Sequence, residues 1–371
     1  MIKVCHITSV HKEEDVRIFH KECVSLANAG YETYLVERGE SYDKSGVHII
    51  GFGEVKGNRV VRMIKYARIA YEKALEINAD VYHFHDPELM PYWLKLKKKG
   101  KVVIFDSHEN TFDLIEQKTY IPELLRKPLG GFFRKYLLNA CKNFDAIIFT
   151  DEADVFPNYE GNKAVITNYP IIGNNYSPPN YLSRKLIFAG TIHRGYNIHN
   201  VINAIDQIDG CRLMLFGSGS EKYIDDLKKL PGWEKVDYYG RVPYETVEEK
   251  MKDATIGLTL IQPNINTNWN HGAMGVIKLF EEMMAGLPVV CTNFDIWKPI
   301  ISKYNCGICV RPDNVEEIKG AIEKIINNPT LAKQMGTNAK RASTEKYNWS
   351  SQEKILLDLY SELCKMINSK K

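Results

Sequence analysis

The chain has 371 residues, a length that suits two domains of moderate size, and 44% of them are hydrophobic, enough to form two buried cores. This composition excludes a disordered protein, and the formal net charge of +3 is too small to indicate a nucleic-acid partner. Eight scattered cysteines, several within apolar runs, predict free thiols in a reducing compartment. No apolar run approaches the ~20 residues of a membrane-spanning helix, so we expect a cytoplasmic protein.

The N-terminal half is predicted to begin as a doubly wound α/β unit. An apolar strand at 2–7 is followed by a loop, a helix at 16–29 and a second strand. The loop carries His11, Asp15 and Arg17, which we expect at the carboxyl edge of the sheet, where such sheets bind ligands. The loop has no G-x-G-x-x-G motif, so a dinucleotide fingerprint is absent.

Two further segments, 81–88 and 101–109, begin as apolar strands and end in polar residues. Their polar ends are His85-Asp-Pro-Glu88 and Asp106-Ser-His-Glu109. Because the carboxyl ends of parallel strands meet at one edge of a sheet, these side chains are expected at the same edge as the first loop.

The segment 118–142 is basic and amphipathic. Its cations are Lys118, Arg126, Lys127, Arg134, Lys135 and Lys142, and aromatic and aliphatic residues such as Phe132 and Phe133 alternate with them. A segment of this kind can lie in a membrane interface. An ordinary helix that packs its apolar side inward and leaves its cations in solvent explains the same pattern.

The stretch 171–184 is rich in Asn, Pro, Tyr and Ser and lacks periodicity, which predicts a linker. A second α/β series follows at 185–348, and a last helix at 349–371 is expected to join the N-terminal domain, 1–170. We therefore predict an α/β fold of two Rossmann-like domains whose parallel sheets face a central cleft.

The stretch 275–291 predicts a short helix at 276–285, ended by Gly286, and then a buried strand. Two glycines, the second of them Gly275, precede the helix and leave N–H groups at its positive end, which suits a phosphate. On the helix, Lys278 and Glu282 lie opposite the apolar residues, whereas Glu281 lies at the edge of the apolar side and can be partly buried.

Taken in order, several blocks resemble glycosyltransferase family 4, whose members are retaining, sugar-nucleotide-dependent enzymes with the GT-B fold. The most specific block is 278–291, Lys-Leu-Phe-Glu-Glu-Met-Met-Ala-Gly-Leu-Pro-Val-Val-Cys. Loops similar to those of the family are 188–195, 216–219 and 240–243, and blocks similar to bacterial members that build surface polysaccharides are 6–11 with 15–22, and 85–88 with 106–109.

The resemblance implies roles for individual residues. Glu281 matches an acid that binds the ribose hydroxyls, and Arg194 matches a basic residue that holds the diphosphate and stabilises its departure. His108 matches a histidine near the reacting sugar and the acceptor. The other donor-binding positions it implies are Gly190, Thr191, Gly217, Arg241, Val242, Gly275, Val276 and Ile277. A solvated loop charge at Arg194 and a helix cap at His108 are the simpler alternatives.

The sequence departs from the family pattern at two positions. Ala273 stands where many members have an acid that contacts the donor sugar, and Thr191 stands where many have an arginine. Backbone amides at 272–275 are expected to hold the sugar instead. We expect Lys278, one turn before Glu281, to compensate for the missing arginine by reaching the phosphate and acting in the reaction.

The resemblance implies a retaining glycosyltransferase that uses a UDP- or GDP-type donor and no metal or other cofactor. The implied acceptor is a glycan or lipid-linked glycan of cell-surface polysaccharide or lipopolysaccharide biosynthesis. The alternatives are a sugar-nucleotide epimerase of the GT-B type and a non-catalytic sugar-nucleotide-binding subunit. A cytoplasmic protein that contacts the inner face of the cell membrane through 118–142 is consistent with this implied function.

Overall fold

The computed structural model describes residues 1–11, 13–54, 59–107, 122–152, 159, 161–173 and 177–370. The chain divides into two compact units, of which the first contains Met1–Asn168 and Ser351–Lys371 and the second contains Tyr169–Ser350. The stretch 171–184 falls inside the second unit, where the Tyr181 hydroxyl donates a hydrogen bond to the carbonyl oxygen of Gly286 at 2.9 Å. The C-terminal part of this stretch is therefore packed onto the second unit.

A mainly parallel sheet forms the centre of the first unit. Its described strands are β1 (Lys3–Ile7), β2 (Glu32–Glu37), β3 (Tyr42–Lys44), β4 (Val47–Gly51), β5 (Val81–Phe84), β6 (Val102–Ser107), β7 (Ala146–Phe149) and β8 (Asn162–Val165). Their order is β3-β4-β2-β1-β5-β6-β7-β8, and among them only β3 and β4 pair antiparallel. β1 lies between β2 and β5, so the direction in which strands are added reverses there, which is where open α/β sheets bind ligands.

Helices pack their apolar sides onto this sheet. A π-helix at Val16–Cys23 continues into α1 (Val24–Asn28), and the others described before the second unit are α2 (Arg59–Ile77), α3 (Met90–Lys98) and α4 (Glu123–Cys141). The Asp15 carboxylate accepts hydrogen bonds from the N–H groups of Arg17 and Ile18 and caps the π-helix. The predicted helix at 16–29 is confirmed in extent, but its first part has the wider π-helical turn, which a pattern of apolar residues does not distinguish.

The sheet of the second unit is parallel throughout its described strands. These are β9 (Lys185–Ala189), β10 (Arg212–Phe216), β11 (Val236–Gly240), β12 (Ile256–Thr259), β13 (Val289–Thr292) and β14 (Gly307–Val310), in the order β11-β10-β9-β12-β13-β14. The α-helices are α5 (Ile198–Asp206), α6 (Glu221–Lys228), α7 (Tyr244–Met251), α8 (Ile277–Met284), α9 (Trp297–Tyr304), α10 (Val315–Ile326) and α11 (Pro329–Glu345). Every residue of β12 and β13 is buried, which explains their continuous apolar character.

The last helix, α12 (Trp349–Lys370), belongs to the first unit from Ser351 onwards and places Tyr360 in its interior. Two parallel-sheet units flanked by helices confirm the predicted α/β architecture. No described helix is both long enough and apolar enough to cross a bilayer.

α4 corresponds to the part of the basic segment that the structure describes; residues 118–121 of that segment lie outside the described residues. Leu137 is buried, and Phe133 packs half-buried against the core of the first unit. Phe132 is 74% exposed, and the other large apolar residues exposed on α4 are Leu124, Leu125, Leu129 and Tyr136. The helix thus packs one side inward and also presents apolar side chains to solvent.

Candidate functional site

α8 lies against β12, and the side that faces the strand carries a carboxylate. The Glu282 side chain is 1% exposed, accepts a hydrogen bond from the Thr259 hydroxyl at 2.9 Å and lies directly over Gly257. Any side chain at Gly257 would collide with it, so the glycine in β12 provides the space that Glu282 fills. The prediction that Glu282 points away from the buried side of the helix was therefore wrong.

The ammonium of Lys278 is also enclosed. Its Nζ lies 3.6 Å from the ring centroid of Phe188 and 4.1 Å from that of Tyr196, and it has no hydrogen-bond acceptor among the described residues. Burial lowers the pKa of Lys278, and the charges of Glu282 and Glu281 oppose that shift. Burial in turn raises the pKa of Glu282. The ammonium has cation–π contacts but no hydrogen-bond acceptor among the described residues, so an anionic ligand that reached it would supply one.

Lys278 reaches the loop that follows β9. A Cβ atom on Gly190 would lie 2.8 Å from the Lys278 Nζ, so only a glycine lets the ammonium approach the backbone there. Gly217, at the end of β10 with φ of 126°, contacts the Gly190 carbonyl so closely that it too excludes a side chain. Its N–H donates to the carbonyl of Gly240 at 2.7 Å. Three strand-end loops, after β9, β10 and β11, are thereby joined at one edge of the sheet.

The N-terminus of α8 lies in a segment whose backbone is tightly fixed. Val276 caps the helix without a side-chain hydrogen bond, so no side chain occupies the first-turn N–H groups through the cap. Gly272 has φ of 95°, and a Cβ there would lie 2.6 Å from the side chain of Phe294. The Trp297 indole N–H donates to the Ala273 carbonyl at 3.1 Å. Exposed Gly275 and half-buried Ile277 complete this segment.

Glu281 is half-buried on α8, one turn after Ile277 at the start of the helix. Its predicted partial burial is confirmed. A carboxylate at this position can accept hydrogen bonds from two adjacent hydroxyl groups.

Arg194 occupies a 3-10 turn after β9, and its side chain is 72% exposed. Its Nη2 lies 3.2 Å from the Asp226 carboxylate, and its guanidinium lies 5.2 Å from the ring centroid of Tyr223. An exposed pair of this kind contributes only about 0–1 kcal/mol to stability. The guanidinium can therefore exchange Asp226 for a phosphate at little loss.

The remaining predicted residues differ in how exposed they are. Thr191 is exposed directly after Gly190, Arg241 is exposed, and Val242 packs half-buried beside the core of the second unit. His108 lies outside the described residues.

In the first unit, the reversal point between β1 and β5 carries a histidine between two carboxylates. His11 Nδ1 lies 3.6 Å from Asp15, and its Nε2 lies 3.5 Å from Asp86. Burial lowers the pKa of His11, but the hydrogen bond with Asp15 and the charge of Asp86 outweigh it and raise the pKa overall. Arg17, predicted at the same edge, is instead buried and donates two hydrogen bonds to Asp106, so it is not available to a ligand.

Four residues at or near the site were not predicted to belong to it. Phe188 and Tyr196 cover Lys278, and Glu282 accepts a hydrogen bond from Thr259 of β12; these contacts join separate parts of the chain, which no local pattern shows. Trp269 is 62% exposed with φ of 55° in the loop before α8. A lone tryptophan in a polar loop was the available signal for that residue.

Comparison with known proteins finds glycosyltransferases. Residues 178–342 match the family model of "Glycosyl transferases group 1". An uncharacterized glycosyltransferase of Methanocaldococcus jannaschii is 26% identical over 288 residues, which are 72% of this chain and 70% of that protein.

Solved structures share the architecture. Sucrose-phosphate synthase from Thermosynechococcus elongatus superposes with a TM-score of 0.76 at 14% identity, covering 99% of this chain and 100% of that one. Anabaena HepE, solved in complex with UDP and glucose, superposes with a TM-score of 0.69 at 13% identity, covering 98% and 100%. These likenesses confirm the predicted GT-B fold. Together, the matches identify the chain as an enzyme of the glycosyltransferase class.

Proposed function

We propose that the chain is a retaining glycosyltransferase that moves a sugar from a UDP- or GDP-type donor to a hydroxyl group of a glycan. The bond between the anomeric carbon and the diphosphate oxygen breaks, and the acceptor oxygen bonds to the same face of that carbon. The acceptor proton passes to the departing diphosphate. The observation that carries the proposal is the buried ammonium of Lys278, enclosed beside Gly190 without a hydrogen-bond acceptor among the described residues.

A diphosphate is the ligand that this ammonium suits. The phosphate is proposed to bind at the glycine-containing loops of the sheet edge, where the start of α8 adds partial positive charge. A phosphate would accept the hydrogen bonds of Lys278 and offset the burial that lowers its pKa. Lys278 and Arg194 would then stabilise the charge that develops on the leaving group, so the proposed transfer requires no metal or other cofactor.

The nucleoside is assigned to the same helix. Glu281, half-buried one turn into α8, is proposed to accept hydrogen bonds from both ribose hydroxyls. The UDP complex of HepE, a protein of the same fold, supports a nucleoside diphosphate as the donor's leaving group. Arg241 and Val242, after β11, are proposed to lie beside the base.

The donor sugar is proposed to bind backbone amides at 272–275. The missing acid at Ala273 leaves no carboxylate for this task, but the segment is held rigid by Gly272 and by the hydrogen bond from Trp297. Rigid N–H groups are effective ligands because they are already oriented before the sugar arrives.

The acceptor is proposed to be a lipid-linked glycan at the inner face of the cell membrane. Leu125, Leu129, Phe132 and Tyr136 are exposed on α4, and their spacing of four, three and four residues puts them on one side of the helix. The basic residues of α4 are Arg126, Lys127, Arg134 and Lys135. An apolar side flanked by cations favours binding to an anionic bilayer surface.

The test of the membrane contact is co-sedimentation with vesicles that contain anionic lipid. Phe132→Ser is expected to reduce binding several-fold. Leu182→Ser, which replaces an equally exposed apolar residue outside α4 (75% exposed), is the control and is expected to leave binding unchanged. Equal vesicle binding by Phe132→Ser and the wild type would remove α4 from the proposal.

The donor is tested by a thermal-shift panel of nucleoside diphosphates and sugar nucleotides on the full chain. A ligand at 100 times its Kd adds about 2.7 kcal/mol to the free energy of unfolding, so the cognate base will stand out. Transfer of labelled sugar to a glycan acceptor, with the anomeric configuration read by NMR, then tests the reaction. An inverted product, or a lack of response to every nucleoside diphosphate, would overturn the proposal.

The two alternatives have their own signatures. A sugar-nucleotide epimerase would convert the donor without an acceptor and release no glycoside. A non-catalytic binding subunit would show the thermal shift but would neither transfer the sugar nor hydrolyse the donor slowly.

A further inference from the structure

Three histidines and a glutamate meet in the interior of the first unit, apart from every residue assigned to the donor. His6 in β1 pairs in register with His83 in β5, His85 follows β5, and Glu22 projects from the π-helix. None of the four is more than 3% exposed, and one potential ligand atom from each lies within 4.8 Å of the other three. π-helical turns occur frequently at functional sites.

One assignment of the imidazole protons satisfies the contacts of all three rings. His85 Nδ1 faces the Asp106 carboxylate at 3.5 Å and therefore carries its proton, which leaves its Nε2 as an acceptor for the N–H of His6 Nδ1 at 3.0 Å. His6 Nε2 then accepts from the Tyr360 hydroxyl at 3.3 Å, and that oxygen accepts from His83 Nδ1 at 2.8 Å. The lone pair of His83 Nε2 is left over, and it has no donor among the described residues.

Two carboxyl groups face that lone pair, Glu22 and, at 3.9 Å, Asp106. Glu22 Oε2 lies 3.8 Å from His83 Nε2 and 3.9 Å from His6 Nδ1, too far for a hydrogen bond even if the carboxyl is protonated. Neither Glu22 oxygen accepts a hydrogen bond from any described residue. The Glu22 carboxyl and the His83 lone pair thus face each other without a hydrogen bond between them, in a space shielded from solvent.

The charged groups around Glu22 also leave it without a hydrogen-bond donor among the described residues. Arg17 Nε lies 3.0 Å from Glu22 Oε1, but its guanidinium directs its N–H groups to both Asp106 oxygens and to the Ile166 carbonyl. One cation therefore faces the carboxyl groups of both Glu22 and Asp106. Neutral imidazoles with a carboxylate are good ligands for a metal ion.

We propose that His6, His83, His85 and Glu22 bind a zinc ion. The ligand atoms are His6 Nδ1, His83 Nε2, His85 Nε2 and Glu22 Oε2, and when the ion binds, the proton of neutral His6 moves from Nδ1 to Nε2, which then donates it to the Tyr360 oxygen. Tetrahedral bonds of about 2.0–2.1 Å place ligand atoms roughly 3.3 Å apart. Three of the six separations, 3.0, 3.8 and 3.9 Å, lie on both sides of that distance, and all six are within 4.8 Å, so an ion would draw the ligands together.

The surroundings of the site fit a metal. Tyr360 faces the second ring nitrogen of His6 and of His83, and Asp106 faces that of His85, so each histidine has an outer partner that orients it. Four protein ligands leave no position open for substrate, which is the arrangement of a structural zinc. The ion would join β1, β5 and the π-helix, and through Tyr360 it would also fix α12.

The experiment measures zinc by mass spectrometry in the purified full chain, refolded with zinc and then dialysed. We expect close to one ion per chain, and Co²⁺ in its place is expected to give the strong visible absorption of a tetrahedral site. His83→Gln and Glu22→Gln are expected to lose the ion, whereas His48→Gln, a change at an exposed histidine of β4 in the same unit, keeps it.

Metal far below one ion per chain, with a Tm that neither chelator nor zinc changes, would overturn the proposal in favour of a water molecule that donates to Glu22 and His83. Retention of zinc by both site variants, as in the His48 control, would overturn it in favour of another location. If a site variant does not fold, the Co²⁺ spectrum of the wild type decides, because an octahedral or absent spectrum excludes these ligands. The result is independent of the donor, whose binding is read by the nucleotide thermal shift.

Discussion

Replacing Lys278 by methionine keeps most of the apolar stem that lies beside Phe188 and Tyr196 but removes the buried ammonium. If the ammonium binds the donor diphosphate, the variant loses one charged hydrogen-bond donor in an enclosed site. Removing one such donor from a transition state typically reduces the rate 10²–10³-fold, or about 2.7–4 kcal/mol. We therefore expect kcat/KM for the sugar nucleotide to fall by that factor and the thermal shift with the nucleoside diphosphate to shrink.

Without ligand, Lys278→Met is expected to be at least as stable as the wild type, although it binds the donor more weakly. Burial lowers the pKa of Lys278, which means that the fold disfavours its charged form, and no described residue accepts its hydrogen bonds. Glu282 keeps the Thr259 hydrogen bond and, with its pKa raised by burial, can hold a proton once the ammonium is gone. Replacing a buried charge by an apolar group of similar size is often neutral or stabilising, so we expect a change between 0 and about +2 kcal/mol in the free energy of unfolding.

The assays are initial-rate kinetics of transfer, urea unfolding without ligand, and thermal shift with the nucleoside diphosphate. Lys324→Met, which removes an exposed lysine near the end of α10, is the matched control and is expected to change none of the three. A Lys278→Met protein that unfolds more easily by several kcal/mol while transferring sugar at the wild-type rate would refute the reasoning. Its lysine would then be a structural partner of Glu282 and not a phosphate ligand.

Three further predictions concern the same unit and the first sheet. Glu281→Ala should weaken donor binding about 10–100-fold and abolish discrimination against a 2′-deoxy donor in competition assays. Gly190→Ala should displace the ammonium beside it and reduce transfer, while Gly320→Ala, in open space on α10, should stabilise the fold by about 0.5–1 kcal/mol in urea unfolding. Burial raises the pKa of Glu37 to about 7. Between the ordinary pKa of 4.5 and about 7, Glu37 is protonated in the folded state and ionised in the unfolded state, so the free energy of unfolding falls as the pH rises through that interval. Glu37→Gln should thus add about 1–2 kcal/mol at pH 8, after allowance for solvent screening, and nothing near pH 4 in paired unfolding curves.

Local sequence patterns predicted the elements well because each pattern reflects a local physical rule. The helix predicted at 276–285 is found at Ile277–Met284, since the glycine at 286 can adopt the left-handed conformation that ends a helix. The strand that follows was predicted from its continuous apolar run, which is what a parallel strand covered on both faces requires.

What the sequence could not show is which distant residues meet. The outward direction assigned to Glu282 failed because Gly257, 25 positions earlier, leaves room for a carboxylate against the sheet. Arg17 was expected at a ligand-binding edge, yet it pairs with Asp106, 89 positions away. Alternation along a strand predicts which face a side chain takes but not which strand lies beside it, so the pairing of His6 with His83 was also beyond a single-sequence pattern.

The enclosed pair on α8 links these findings to the proposed chemistry. A lysine and a glutamate whose pKa values are both shifted by burial are unfavourable for the empty fold, so selection for stability alone would not retain them. An anion bound at Lys278 would restore the ammonium's full charge and hydrogen bonds, and the free energy lost in the empty protein would return as binding free energy. Donor binding should therefore stabilise the wild type more than it stabilises Lys278→Met, and the difference should equal the loss of affinity, because both measure the same interaction.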